Sequence, residues 1–244
     1  MLFGTADLTQ LEKSAPELGG FDTDALILRA ARVFQVLYEI RGDARQSLLP
    51  PALHPVDPPL AWWNVLACDE SPFGAFRMAQ LRIGCRSGVR PRGFLVASFF
   101  DSPEAGRELA KRWAYRNRPA TIRLARQYDT VSAKVDLDGR TILEIEMRDP
   151  DPLGASDIQY TASMHLARTP RGLRLVQVDP AFAVERAERG RPHLVRFDAA
   201  AWGDERIEPT QPVSASIALA DVTLPQLRYV CRADVWAFEG TETV

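Results

Sequence analysis

Lysine is the scarcest side chain with amine chemistry in this chain: among 30 basic residues only Lys13, Lys111 and Lys134 are lysines. Any imine or amine-nucleophile mechanism must use one of these three. Histidine is equally sparse, and His54, His165 and His193 are isolated from one another. An ordinary structural role is the first expectation for each. His165 stands out because it falls in a hairpin strand from which it could line an interior. Cys68, Cys85 and Cys231 form no CxxC pair and no zinc-like spacing with histidine. They read as buried small hydrophobes in a reducing compartment. No GxSxG, Walker, HExxH or strand-following GxGxxG pattern occurs, so no metal and no cofactor is expected. Arg112, Arg116, Arg118, Arg123 and Arg126, interleaved with Trp113 and Tyr115, have the composition of a nucleic-acid patch. A solvated face is the simpler reading, and no nucleic-acid partner is expected.

The elements that position these residues read mostly as strands. Hydrophobic content of 46% over 244 residues is enough for a real core, and a formal charge of −2 gives no bias toward polyanions. The chain is read as a single domain, 1–244, with residues 1–24 as an N-terminal extension. No signal peptide and no stretch long enough to span a membrane are apparent, so a cytoplasmic protein without a membrane partner is expected.

Asp22-Thr23-Asp24 predicts a helix from Ala25, giving way near Val33 to a strand. Strands are predicted at Leu60–Cys68, Phe73–Cys85 and Gly93–Phe100. Ser102-Pro103-Glu104 opens a helix running to about Tyr115. Face consistency in Asp129–Met147 predicts a hairpin with a three-residue loop and a bulge at Gly139, which pairs Val135 with Thr141. A second hairpin turns at Pro170-Arg171-Gly172, and Ser214–Asp221 and Leu227–Phe238 supply the last strands. About ten strands joined by short turns imply a mainly β (α+β) fold, a closed or nearly closed antiparallel barrel with peripheral helices.

Several segments, kept in order, resemble the acetoacetate decarboxylase family: Leu48-Leu49-Pro50-Pro51-Ala52-Leu53, Gly74-Ala75-Phe76, Gly106-Arg107-Glu108-Leu109, the Asp138-Gly139 hairpin, Phe197-Asp198, Pro212-Val213 and Ala220–Pro225. The resemblance spans roughly residues 30–230. It implies a cone-like antiparallel β-barrel and an interior site whose lysine forms an imine with a β-keto acid, its pKa lowered by an adjacent lysine, a case that also serves as the standard example of lysine activation.

Aligned on Gly106-Arg107-Glu108 and Pro119, that lysine pair falls on Ala114-Tyr115. The two acidic pocket positions fall on Met78 and Asn64, and an early arginine falls on Ala31. The resemblance therefore implies the scaffold without its Schiff-base set. The expected activity is a lyase-like enzyme on a keto-acid or polyketide-like substrate, by hydration, isomerisation, cyclisation or related chemistry. The alternative is a non-catalytic small-molecule-binding barrel. Arg107 as carboxylate binder, Glu108 as acid or base, and Lys111 as a relocated nucleophile are the catalytic candidates. Trp63, Asn64, Phe76, Met78 and Tyr115 are the ligand-binding candidates. Strand alternation admits only one of Trp62 and Trp63 to the pocket. A homo-oligomer binding a small molecule is expected. An ionisable group with a strongly shifted pKa inside the pocket separates the enzyme from the binding protein.

Overall fold

A computed structural model describes residues 2–244. Its helices are α1 (Leu8–Lys13), α2 (Pro103–Trp113) and α3 (Ala237–Gly240). The strands of the first half are β1 (Leu26–Ile40), β2 (His54–Pro55), β3 (Leu60–Cys68), β4 (Phe76–Ser87), β5 (Arg90–Phe100), β6 (Arg118–Pro119) and β7 (Thr121–Gln127). Those of the second half are β8 (Thr130–Leu137), β9 (Arg140–Leu153), β10 (Ser163–Thr169), β11 (Gly172–Val178), β12 (Ala181–Phe197), β13 (Pro209–Leu224), β14 (Tyr229–Arg232) and β15 (Thr241–Thr243).

The strands form one curled, cone-like sheet in the order β15-β14-β11-β10-β5-β4-β3-β1-β13-β12-β9-β8-β7, with β2 beside β4 and β6 beside β5. The hydrogen-bonded path does not close, because β15 and β7 are its two ends. Pairing is antiparallel except where β5 meets β10 at Ser163–Gly93 and Met164–Phe94, and meets β6 at Phe99–Arg118 and Phe100–Pro119. Between those two parallel contacts the edge of β5 is met by the segment 113–117: the Ser98 hydroxyl donates to the Arg116 carbonyl at 2.7 Å.

Two hydrophobic cores share this sheet. Phe34, Val36, Trp63, Val65, Leu81 and Phe99 point to one face and pack with β8, β9 and Trp202. Val33, Leu66, Phe76, Met78 and Phe100 point to the other, under α2 and Tyr115. The period-2 alternation of β3, β4 and β5 assigns each side chain to its face.

Three local expectations are corrected. No helix begins at Ala25: Leu26–Ile40 is one strand, paired on both edges with β3 and β13. Intrinsic helix preference is a weak term and the two ladders override it. The strand bulges between Leu28 and Ala31, where Ala30 takes a φ of 46° and its N–H donates to Asp221 at 2.9 Å. The β8–β9 hairpin has a two-residue loop, with Leu137 opposite Arg140 and φ of 50° at Asp138 and 77° at Gly139. This is the twist-compatible Asp-Gly turn.

The bulge lies at Ile142 on β9, where the register shifts between Val135–Leu143 and Asp136–Thr141. Beyond it Val131, Ala133 and Val135 share a face with Met147, Ile145 and Leu143, so the expected faces hold while the register is displaced by two. Finally, Leu227–Phe238 is not one strand, since β14 stops at Arg232 and α3 follows.

Candidate active site

A row of polar side chains crosses the second face where alternation would place apolar ones. Ser216 pairs with Gln35, Gln35 with Asn64, Asn64 with Gln80 and Gln80 with Ser98, across β13, β1, β3, β4 and β5. Gln35, Asn64, Gln80 and Ser98 are all buried. Burying amides costs free energy unless they are bonded, and the Asn64 side-chain nitrogen has no partner. It is a hydrogen-bond donor without an acceptor, set between Leu66 and Trp62 on the same face of β3.

One step along β4 lies Arg82. Its Nε donates to Gln80 Oε1 at 2.9 Å and its Nη1 to the Thr161 carbonyl at 3.1 Å, and Nη2 also bonds Gln80 Oε1. One N–H on each terminal nitrogen is left without a partner, free to donate to an anion. Among the described residues no carboxylate pairs with Arg82. Burial holds its guanidinium below the ordinary value, and only Tyr115 acts in the opposite direction. Gly93 gives it room: a Cβ there would stand 3.0 Å from Arg82 Cδ.

Tyr115 reaches this cluster because α2 ends beneath it. Ser102 caps the helix, accepting from Ala105 N. Ala114 closes it in the left-handed conformation at φ 56°, and the chain turns inward. Tyr115 is buried, packed edge-on against His165 at 4.5 Å between centroids and against Phe100 at 6.3 Å. Burial raises its phenol pKa and Arg82 partly offsets this.

His165 is completely buried. Its Nδ1 lies 2.6 Å from the Trp113 carbonyl, which can only accept, so Nδ1 carries the proton. Nε2 then accepts from the Ser163 hydroxyl at 2.7 Å. Burial, reinforced by Arg82 and Arg116 and opposed by the Trp113 carbonyl, lowers its pKa to about 3. The imidazole is neutral at physiological pH and too weak to serve as a general base there. It ties the end of α2 to β10 and holds the Tyr115 ring.

Of the ligand-binding candidates, Asn64, Phe76, Met78 and Tyr115 share this face, and Met78 sulfur accepts from Gln80 Nε2 at 3.3 Å. Trp63 does not: it lies in the opposite core against Tyr38 and Phe197, and Trp62 is the tryptophan on the Asn64 side. The catalytic candidates sit elsewhere. The buried stripe of α2 is Ala105, Gly106, Leu109 and Trp113, which turns Arg107 and Lys111 outward to exposed positions and leaves Glu108 half-buried on the flank. The left-handed turn at Ala114 breaks the helical continuity that would have carried Lys111 onto the site. Lys13 bonds Gln10 on α1, and Lys134 pairs with Asp136 at 3.6 Å.

The arginine patch is dispersed: Arg112 stacks on Trp113, Arg118 stacks on Phe99 and Arg126 pairs with Glu188. The three cysteines are buried and unpaired, and burial pushes the Cys85 thiol up to about 12. Among the described residues no group of three His, Cys, Asp or Glu side chains could hold a metal, and no helix is long and apolar enough to cross a membrane.

Gln80, Arg82 and Ser163 were missed in the sequence. A polar residue interrupts each apolar run, in Phe34-Gln35-Val36, Trp63-Asn64-Val65 and Ala79-Gln80-Leu81. Only the register shows that these interruptions line up.

The profile of the acetoacetate decarboxylase (ADC) family matches residues 17–232. No curated protein gives a significant match. Among solved structures, an acetoacetate decarboxylase from Legionella pneumophila superposes with a TM-score of 0.73 at 18% identity, covering 89% of this chain and 93% of that one. The enduracididine biosynthesis enzyme MppR, complexed with pyruvate, gives 0.67 at 17% identity over 84% and 88%. An acetoacetate decarboxylase-like enzyme from Sphingomonas wittichii RW1 gives 0.62 at 18% over 83% and 91%. At such identities the likeness is one of fold. The family match spans most of the chain, and the chain belongs to the acetoacetate decarboxylase family.

Proposed function

We propose that this protein is a small-molecule enzyme that acts on a keto-acid or polyketide-like acid without forming a lysine imine. The observation that carries this reading is Arg82, a cation without a counter-ion, set beside the unpartnered Asn64 amide and the phenol of Tyr115. A buried charge left uncompensated is costly, and a site that keeps one is built for an anion. The free edge of Arg82 fits a substrate carboxylate, and the Asn64 N–H fits a carbonyl or enolate oxygen. That MppR binds pyruvate on the same fold adds to the case for a small oxo acid.

The chemistry follows from what the cluster lacks. It holds donors, namely guanidinium, amide N–H and phenol O–H, and no group that is basic at neutral pH. Such a site polarises a carbonyl and hands a proton to an oxygen that forms or leaves. The nucleophile then comes from water or from the substrate itself, which suits hydration, dehydration, isomerisation and cyclisation. Arg82 binds, Asn64 and Tyr115 stabilise the developing oxyanion, and His165 positions Tyr115. The displaced titration of this cluster, with His165 lowered to about 3 and Tyr115 and Arg82 shifted by burial, favours an enzyme over a passive binding barrel.

The test is exchange of the C2 carbonyl oxygen of 2-oxobutyrate with labelled water, followed by mass spectrometry. Wild type is expected to accelerate exchange. Tyr115→Phe keeps binding and loses about tenfold or more in rate, and Arg82→Met loses binding. Binding by wild type with no acceleration would overturn the enzyme reading.

A further inference from the structure

A groove of about 400 Å³ lies among α1, the turn at 44–49, β5 and the loop at 203–206. It is reached through Arg116, one residue beyond Tyr115, but none of Asn64, Arg82, Tyr115 or His165 lines it. Its volume falls within the range of small-molecule sites. Leu11, Leu48, Phe94 and Val96 form an apolar floor, and Arg116 stands in the wall.

Arg116 Nη1 donates to the Ser14 hydroxyl at 2.9 Å. Among the described residues this is the only side-chain bond of its five-donor guanidinium, and no carboxylate pairs with it. The groove's acids are already engaged. Asp204 is paired with Arg206 at 2.5 Å, and Asp7 accepts from Thr9 N at 2.9 Å as the cap of α1. Next to Arg116, Arg118 is also without an acid, donating to the Ala201 carbonyl at 2.8 Å and stacking on Phe99. Burial and the proximity of Arg118 lower the Arg116 pKa to about 10, which leaves it charged at neutral pH. A half-buried cation held by one hydroxyl and set over an apolar floor is complementary to a singly charged anion with an apolar body.

We infer that this groove is a second ligand site, separate from the Arg82 cluster, which takes a small carboxylate through the unused N–H groups of Arg116 and its hydrocarbon body against Phe94 and Val96; the Ser14 hydroxyl accepts from Arg116 and donates to the Leu11 carbonyl, and so orients the guanidinium. A single guanidinium matches one negative charge. The floor selects against a bare ion such as phosphate.

The experiment is calorimetric titration of the full chain with benzoate, benzamide and inorganic phosphate. Wild type is expected to bind benzoate and to bind benzamide and phosphate about tenfold or more weakly. Arg116→Gln loses about tenfold or more in benzoate affinity, whereas Arg82→Gln leaves it unchanged. Val96→Trp fills the groove without touching the charge and must abolish benzoate binding as well, which covers the case in which Arg116→Gln does not fold. Loss of benzoate binding in Arg82→Gln with retention in Arg116→Gln would overturn the inference, as would no binding to folded wild type at millimolar benzoate. Failure of 2-oxobutyrate to bind, with benzoate still held at Arg116, would strike the proposed function and leave this second site standing.

Discussion

The neutral, buried His165 makes stability depend on pH in a window that opens above the carboxylate range. Its pKa is about 3 in the folded chain against 6.5 for the free side chain. Between those values the unfolded state binds a proton that the folded state does not, so stability rises with pH and is lost on acidification. From pH 7 to pH 5 the expected loss is about 2 kcal/mol, because about 1.5 pH units below the unfolded pKa each cost about 1.4 kcal/mol. For a chain of this size that is a drop of about 4–8 °C in thermal midpoint. Asp204, Asp234 and Glu242 have lowered pKa values, and their stabilising contributions are lost only in more acidic solution.

The perturbation is His165→Asn, which keeps a donor for the Trp113 carbonyl and removes the titrating ring. The variant starts less stable by about 1–3 kcal/mol, since the Ser163 hydroxyl loses its acceptor and the ring leaves a gap. Its urea-unfolding free energy should then change little between pH 7 and pH 5. An undiminished loss over that interval in the variant would refute the assignment of the pH dependence to His165.

Other substitutions test the architecture around the site. Arg82→Met should weaken keto-acid binding about 100-fold or more, read by calorimetry, with the thermal midpoint nearly unchanged because relief of a buried charge offsets the lost bonds. Gly139→Ala should cost about 1–2 kcal/mol in urea unfolding, because the turn holds this residue at φ 77°. Gly4→Ala should free the N-terminal segment to proteolysis, since a Cβ at Gly4 would stand 2.2 Å from the backbone oxygens of Leu49 and Pro50.

How far the sequence could be read depended on which term controlled each element. Leu60–Cys68 is apolar except at Asn64 and buried on both faces, and its limits were read as they stand. The Ser102-Pro103-Glu104 signal placed α2 because capping is local chemistry. β12 gave no such signal: Ala181–Phe197 carries Glu, Arg and Pro192 along a mostly exposed strand, and it is held by β9 and β13. The hairpin showed its faces through alternation but not its register, since shifts of two preserve every face.

Asn64, Met78 and Tyr115 were found through the family resemblance. Arg82, Gln80 and Ser163 depended on strand pairing that brings residues from distant parts of the chain together. The outward turn of Arg107 and Lys111 was within reach of the sequence, because Ala105, Leu109 and Trp113 already mark the opposite stripe.

Borohydride reduction in the presence of acetoacetate, followed by peptide mass mapping, separates lysine-imine chemistry from catalysis by the Arg82–Tyr115 donors. Imine formation needs a desolvated amine beside the substrate, and Lys13, Lys111 and Lys134 all lie outside the Arg82–Tyr115 cluster. The expected result is no reduced adduct on any lysine while the keto acid still protects the protein in thermal melts. A reduced adduct on Lys111 would contradict the imine-free reading and make that residue a displaced catalytic lysine.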